Sequence, residues 1–265
     1  MPDWSAANCD ANGINIHYVR TGRSKPPVIL LHGLIANGAC WTFVARDLET
    51  EYDVIMPDAR GHGTSGKPEC GYRYQDHAND VIGLIEVLEL DSPVLIGHSM
   101  GGMTAAVVAS RHPKLIRGLI LADPTFLTPD VQQTVYQSDV AEQHRRALHT
   151  SFDKLVAEAR ARHPDRPPEL LELLAQARLQ TSMNAFDVLV PPNPDYRQLV
   201  RAIEVPCLLV FGDTSNVVSP AVAAELQRVN PTFRFEQIQG ASHGLHYDQP
   251  ERFAAVVRTF LHTVF

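Results

Sequence analysis

Scarce cysteine, a deficit of positive charge and the lack of any long apolar run set the first limits on this chain. Its 265 residues hold four cysteines, Cys9, Cys40, Cys70 and Cys207, far apart and with no C-x-x-C spacing. That excludes a zinc knuckle, offers no disulfide framework and predicts free thiols and no metal site. Lysine and arginine number 23 against 30 aspartates and glutamates, a formal net charge of −7. A polyanion-binding surface needs clustered cations to displace counterions, so no nucleic-acid partner is expected. No stretch nears the roughly 18 apolar residues that cross a bilayer. Met1-Pro2-Asp3-Trp4-Ser5 has neither a basic segment nor an apolar one after it, which predicts no secretory leader, no membrane partner and a cytoplasmic location.

What is present is ordinary globular material, 45% hydrophobic and 20% charged, enough for a sizeable core. Length alone does not choose between one domain and two. Short apolar runs recur, each bounded by Gly, Pro or Asp: Val28 to Leu31, Tyr52 to Met56, Pro93 to Gly97, Gly118 to Ala122, Pro206 to Phe211 and Phe233 to Ile238. Near-continuous runs of this length suit strands covered on both faces of a parallel sheet. Helical spacing follows in Val81, Ile82, Ile85 and Leu88, and again after Ser99 through Ala105, Ala106 and Val108. The order reads as repeated βα units, an α/β fold. Ahead of them, Gly13 to Arg20 alternates apolar and polar residues and predicts an antiparallel edge strand.

From Thr125 to about Arg197 the alternation stops. Leu148, Phe152, Leu155 and Val156, then Leu170, Leu171 and Leu174, repeat at helical spacing and predict an inserted helical segment. His163-Pro164-Asp165-Arg166-Pro167-Pro168 must interrupt it, and Pro191-Pro192-Asn193-Pro194 is expected to mark the return to the sheet.

The chemistry centres on Gly97-His98-Ser99-Met100-Gly101-Gly102, directly after an apolar strand and directly before a helical pattern. A serine on such a strand-to-helix turn sits in strained backbone, and flanking glycines remove side chains that would collide. The helix start turns its amides toward charge developing beside Ser99, which makes the Met100 amide a candidate oxyanion donor. His32-Gly33-Leu34, after the first parallel strand, can bring a second donor, the Leu34 amide, although taken by itself it reads first as a plain glycine turn. Asp58 to Pro68 reads as a structural turn that braces loops, with no catalytic role.

A serine hydroxyl needs a base, and the base needs an orienting carboxylate. His243, in the loop after the last strand, is the expected base, with His246 in reserve. Two carboxylates follow strands and face the same sheet edge, Asp213 and Asp123. The chain order of serine, acid and histidine with the acid on the penultimate strand favours Asp213; Asp123, ahead of Pro124, stays open.

Together, His32-Gly33, Asp58-x-Arg60-Gly61-His62-Gly63-x-Ser65-x-Lys67-Pro68, Gly97-His98-Ser99-Met100-Gly101-Gly102, Asp213 and His243 resemble the α/β-hydrolase superfamily over nearly the whole chain. The resemblance implies an eight-stranded, mostly parallel sheet flanked by helices. It also implies a core domain of residues 1–124 and 198–265, under a helical cap of residues 125–197. One departure stands out, since relatives commonly carry Gly-x-x-Asp at the acid position and here that slot is Ser215. Ser99 in place of Asp argues against dehalogenase and epoxide hydrolase chemistry, and His98 tilts toward ester rather than carbon–carbon cleavage. The expected activity is a carboxylesterase on a small or aromatic ester, through an acyl-enzyme and without metal or cofactor. A lactonase, a carbon–carbon hydrolase and a non-catalytic ligand receptor on the same scaffold are the alternatives, in that order. Phe126, Phe152, Phe186, Val188 and Leu189 are the candidate lining of an apolar pocket; ordinary core packing accounts for them as well. Oligomeric state is not legible.

Overall fold

The computed structural model of the protein describes residues 4–265. Eight strands form one sheet: β1 (Ser5–Ala11), β2 (Ile14–Arg20), β3 (Pro27–Leu31), β4 (Asp53–Pro57), β5 (Val94–His98), β6 (Gly118–Ala122), β7 (Cys207–Gly212) and β8 (Arg234–Ile238). Their spatial order is β1-β2-β4-β3-β5-β6-β7-β8. The first two pairings from the β1 side are antiparallel and all later ones parallel. This is the eight-stranded, mostly parallel sheet the motifs imply. The Gly13 to Arg20 segment is not the edge, however. The short hairpin at Asn12 and Gly13 folds back a further strand, β1, whose mixed residues Ser5-Ala-Ala-Asn-Cys-Asp-Ala11 carry little apolar alternation to announce it.

The apolar runs of the parallel strands divide by parity, as side chains alternating across a pleat must. Ile29, Leu31, Leu95, Leu119, Leu121 and Leu209 pack on one face, against α2 (Tyr74–Val87), α3 (Met100–Arg111), α8 (Tyr196–Ala202) and α9 (Pro220–Val229). Val28, Leu30, Val94, Ile96, Ile120 and Val210 pack on the other, against α1 (Thr42–Leu48), α10 (Leu245–Asp248) and α11 (Pro250–Val264). Each fully buried leucine or valine contributes about 1.5–3 kcal/mol relative to exposure, so two facing cores fix the register of every central strand.

Between β6 and β7 the chain runs through α4 (Pro129–Gln137), α5 (Val140–Leu148), α6 (Phe152–Arg162), α7 (Pro168–Gln180), a 3₁₀ helix (Met183–Leu189) and α8. The proline-rich break falls between α6 and α7, with Pro168 as the first residue of α7, where a missing amide hydrogen costs nothing. The second proline cluster does not lead directly to the sheet. Asp195 caps α8, its side chain accepting from the Arg197 amide, and this further two-turn helix packs on α3 before β7 begins.

The Asp58 to Pro68 turn is a brace. Asp58 accepts from the amides of Gly38 and Thr64 at 2.8 and 2.9 Å and pairs with His17 at 3.0 Å. Arg60 forms a buried ion pair with Asp80 of α2 at 2.5 Å. No helix among the described residues is long and apolar enough to cross a membrane.

Candidate active site

Ser99 occupies the one residue between β5 and α3, with φ 54 and ψ −117. A non-glycine residue there stores on the order of 1–3 kcal/mol, tolerated only when the surroundings overdetermine it. They do. A β-carbon on Gly97 would lie 2.3 Å from the Gly101 carbonyl oxygen, and one on Gly101 would lie 2.3 Å from that of Leu31. The turn can be this tight only because both positions lack side chains.

The Ser99 Oγ lies 3.0 Å from His243 Nε2, and His243 Nδ1 lies 2.5 Å from Asp123 Oδ2. The carboxylate fixes the tautomer: Nδ1–H donates to Asp123, leaving Nε2 to accept the hydroxyl proton of Ser99. Asp123 follows β6, the neighbour of β5, with φ 46, and is completely buried. Its remaining lone pairs accept from Ser215 Oγ at 2.6 Å and the Val218 amide at 3.2 Å.

The expected pairing of His243 with Asp213 does not form. The exposed Asp213 carboxylate turns into the bend after β8, accepting from the amides of Gly240 and Ala241 at 2.8 and 3.1 Å. At the slot where relatives commonly carry the acid, the Ser215 hydroxyl instead donates to Asp123. The carboxylate beside His243 thus comes from the end of β6, one strand inward of Asp213, and position 215 carries a serine that bonds to it.

The reserve candidate His246 does not reach Ser99 either. Its buried ring stacks on Trp41 with centroids 4.2 Å apart, and burial drives its basicity well below the usual histidine range. His98 contributes in a way the motif did not announce. Its Nε2–H donates to the backbone carbonyl of His243 at 2.9 Å, tying the His243 loop to the turn that carries Ser99. Burial likewise keeps His98 neutral.

Met100 opens α3, and Leu34 leaves the end of β3. Neither amide donates to a backbone carbonyl in the loops, turns and caps of the described residues. His32 orients the second loop, its Nε2 accepting from the Ala59 amide at 2.9 Å while Nδ1–H donates to the Gly33 carbonyl at 2.8 Å. Gly33 keeps the approach close, since a β-carbon there would lie 3.0 Å from His98 Nδ1 and 3.1 Å from Ser99 Cβ, tighter than most such contacts.

Beside this constellation lies a cavity of about 260 Å³. Gly33, Leu34, His98 and Tyr247 form its floor, and α6 and α7 form its far wall. None of the five residues expected to line a pocket borders it. Phe126 is buried against Tyr196 at 5.2 Å, Phe186 against His144 at 4.8 Å, and Val188 and Leu189 belong to the core beneath α3. Phe152 is 36% exposed, on the outside of α6. Ordinary core packing, the other account open to these residues, holds for Phe126, Phe186, Val188 and Leu189. The cavity instead combines Leu155, Leu171 and Leu174 with three arginines, Arg162, Arg166 and Arg178.

The family model described as alpha/beta hydrolase fold matches residues 26–250. The chain belongs to the α/β-hydrolase fold family. Among curated relatives, a 2-(acetamidomethylene)succinate hydrolase of Mesorhizobium japonicum is 29% identical over 263 residues, covering 92% of this chain and 90% of the relative. An N-formylmaleamate deformylase of Pseudomonas putida is 28% identical, covering 97% and 96%. A crystal structure of an E-2-(acetamidomethylene)succinate hydrolase superposes with a TM-score of 0.85 at 25% identity, over 98% of this chain and 99% of the other. One of these relatives is a hydrolase by name and the other a deformylase, and the superposition shows that the fold described above is shared with the first kind.

Proposed function

We propose that the protein is a serine hydrolase that cleaves the acyl bond of a small carboxylic ester through an acyl-enzyme on Ser99, the helices of residues 125–197 capping the site. The observation that carries the reading is the unbroken relay from buried Asp123 through His243 to Ser99, at 2.5 and 3.0 Å, with two donor-ready amides alongside. His243 Nε2 takes the Ser99 proton as Oγ attacks the carbonyl carbon, and the negative oxygen of the tetrahedral intermediate rests on the amides of Met100 and Leu34. The carbon–oxygen bond to the leaving alcohol then breaks as His243 returns its proton to that alcohol. A water, deprotonated by the same ring, attacks the acyl carbon, and Ser99 leaves reprotonated. Each oxyanion donor supports about 3 kcal/mol of barrier lowering, and the acid–base relay roughly 10²–10⁴-fold. No step calls for a metal or an organic cofactor.

A second reading, cleavage of an N-acyl bond, draws on the two bacterial relatives, one of them named a deformylase. It uses the same relay, with His243 protonating a leaving amine. A lactone differs only in that the leaving alcohol stays tethered to the acyl group. The test is a panel of p-nitrophenyl acetate, a small lactone and a formamide, assayed on wild type and Ser99→Ala, with mass spectrometry after treatment with a fluorophosphonate. Turnover lost in Ser99→Ala and an adduct on the Ser99 peptide support the reading. Undiminished turnover in Ser99→Ala would end it.

A further inference from the structure

The cavity beside Ser99 carries more positive charge than a neutral ester needs. Of its three arginines, Arg166 is matched, binding Asp248 at 2.6 Å, while Asp248 also holds the Ser242 amide next to the base. The other two are not. Arg162, at the end of α6, gives its Nε–H only to the Glu158 carbonyl at 3.3 Å, and Arg178, half-buried on α7, has no ion-pair partner within 4 Å among the described residues. Burial first, and then the charge of Arg162, make the Arg178 guanidinium less comfortable as a cation, and Glu158 only partly offsets them. His163, on the same wall, is kept below its usual basicity by burial and by Arg166, so it is a neutral hydrogen-bonding group.

Two guanidinium groups without an ion-pair partner within 4 Å, the half-buried Arg178 and the exposed Arg162, thus border a cavity that Gly33 and His98, the neighbours of Ser99, also line. A planar guanidinium fork matches a carboxylate, and the pair relieves the mutual repulsion of the arginines. The leucines beside them suit a short hydrocarbon spacer, and the volume falls below the roughly 300–1,000 Å³ of sites for drug-sized ligands.

We infer that the substrate is a small acid bearing a free carboxylate a few carbons from the scissile acyl group, with Arg162 and Arg178 holding that carboxylate while Ser99 attacks the other end. This rests on the reading of Ser99 as nucleophile and adds the substrate class. It also makes the cap's role one of charge recognition rather than of apolar fit.

The experiment compares half-esters with their neutral counterparts: monomethyl and dimethyl succinate, glutarate and adipate, hydrolysed by wild type, Arg178→Gln, Arg178→Lys and Arg162→Gln, with melting temperature as the control for folding. In wild type, kcat/KM for the best half-ester should exceed that for its diester at least tenfold. Arg178→Gln and Arg162→Gln should each lower that ratio roughly ten- to hundredfold, mainly through KM, as expected for a lost charge-assisted bond. Arg178→Lys should restore part of it. A ratio near one in wild type, or variants that slow both esters equally, would overturn the inference while leaving Ser99 chemistry intact. Should wild type hydrolyse no ester at all, the serine-esterase reading falls, and calorimetric binding of glutarate decides this one. Glutarate bound by wild type and Ser99→Ala but not by Arg178→Gln supports the receptor, and no binding to wild type refutes it.

Discussion

Replacing Asp123 by asparagine isolates the carboxylate with almost no change of shape. The wild-type Oδ1 accepts from the Val218 amide, while Oδ2 accepts from His243 Nδ1 and Ser215 Oγ. A carboxamide cannot accept on both sides. With its NH₂ toward Val218, two donors would meet in a completely buried space, which costs about 1–3 kcal/mol. With its oxygen toward Val218, the NH₂ points at His243, and Ser215 turns its hydroxyl to accept. The second arrangement satisfies every group around the new carboxamide, and it makes His243 Nδ1 an acceptor. The ring proton then moves to Nε2, facing Ser99, and the base is lost. Wrong tautomer and lost support for the imidazolium together should lower kcat about 10⁴-fold, or about 5 kcal/mol of barrier. Asp213→Asn keeps the Oδ1 that accepts from the Gly240 and Ala241 amides and removes only a negative charge from an exposed side chain, so it should cost at most about 1 kcal/mol of stability and a few-fold in rate. Ester hydrolysis followed by stopped flow, with thermal melts alongside, separates the two. Because Ser215 and His243 contact the same Asp123 oxygen, Ser215→Asp placed in the Asp123→Asn background should recover at least tenfold of the lost rate. A loss below tenfold in Asp123→Asn, or comparable losses in both single variants, would refute the assignment.

The buried histidines predict acid lability. His77 is pushed down to about 3 by burial first, then by Arg60 and His32, against about 6.5 in the unfolded chain. With the folded value depressed, the unfolded state binds more protons between these limits. Stability is therefore full above about pH 6.5 and falls as pH drops, by as much as ~5 kcal/mol from this one ring. Burial lowers His32, His62, His98 and His246 as well, so the urea midpoint should fall steeply between pH 6.5 and 4.5, before most carboxylates titrate, and less steeply in His77→Gln. A flat midpoint across that window refutes this. At the elbow, Gly97→Ala would push a methyl group to 2.3 Å from a backbone oxygen and should cost several kcal/mol and nearly all activity. Gly22→Ala, with nothing within 4 Å, should change neither melting temperature nor rate.

What the amino-acid pattern made legible follows from how strongly physics constrains it. Strands buried on both faces have no choice but continuous Val, Leu and Ile, so β3 to β7 stood out with ends shifted by at most a residue. The strand β1 did not, because its residues are mostly exposed or half-exposed and any small polar residue serves there. The serine turn was legible because its backbone demands glycine at fixed offsets. The cavity was not. Periodicity marks a buried stripe on α6 and α7, while the arginines that enter the cavity from those helices look, in sequence, like ordinary solvated positions.

The acid shows the limit most clearly. An orienting carboxylate needs only to arrive beside His243 from a strand end, and β6 and β7 are neighbours in the sheet, so both offer a site. Nothing local to Asp213 or Asp123 decides between them, since each follows a buried strand. The deciding feature was the absence of an acid at 215. A serine in that slot cannot orient an imidazolium by charge, but it can donate to a carboxylate arriving from the next strand, and the Val217 amide in turn donates to its Oγ at 3.0 Å. A hydroxyl so placed is redundant if Asp213 does the work and necessary if Asp123 does, because a buried carboxylate requires its lone pairs filled. The departure at 215 therefore pointed to Asp123, the carboxylate that meets both His243 and Ser215, rather than to Asp213. Ser215→Ala provides its own check: leaving Asp123 short of one donor should raise the pH at which the rate reaches half its plateau and slow hydrolysis several-fold, whereas an unchanged pH profile would mean that the hydroxyl merely fills space.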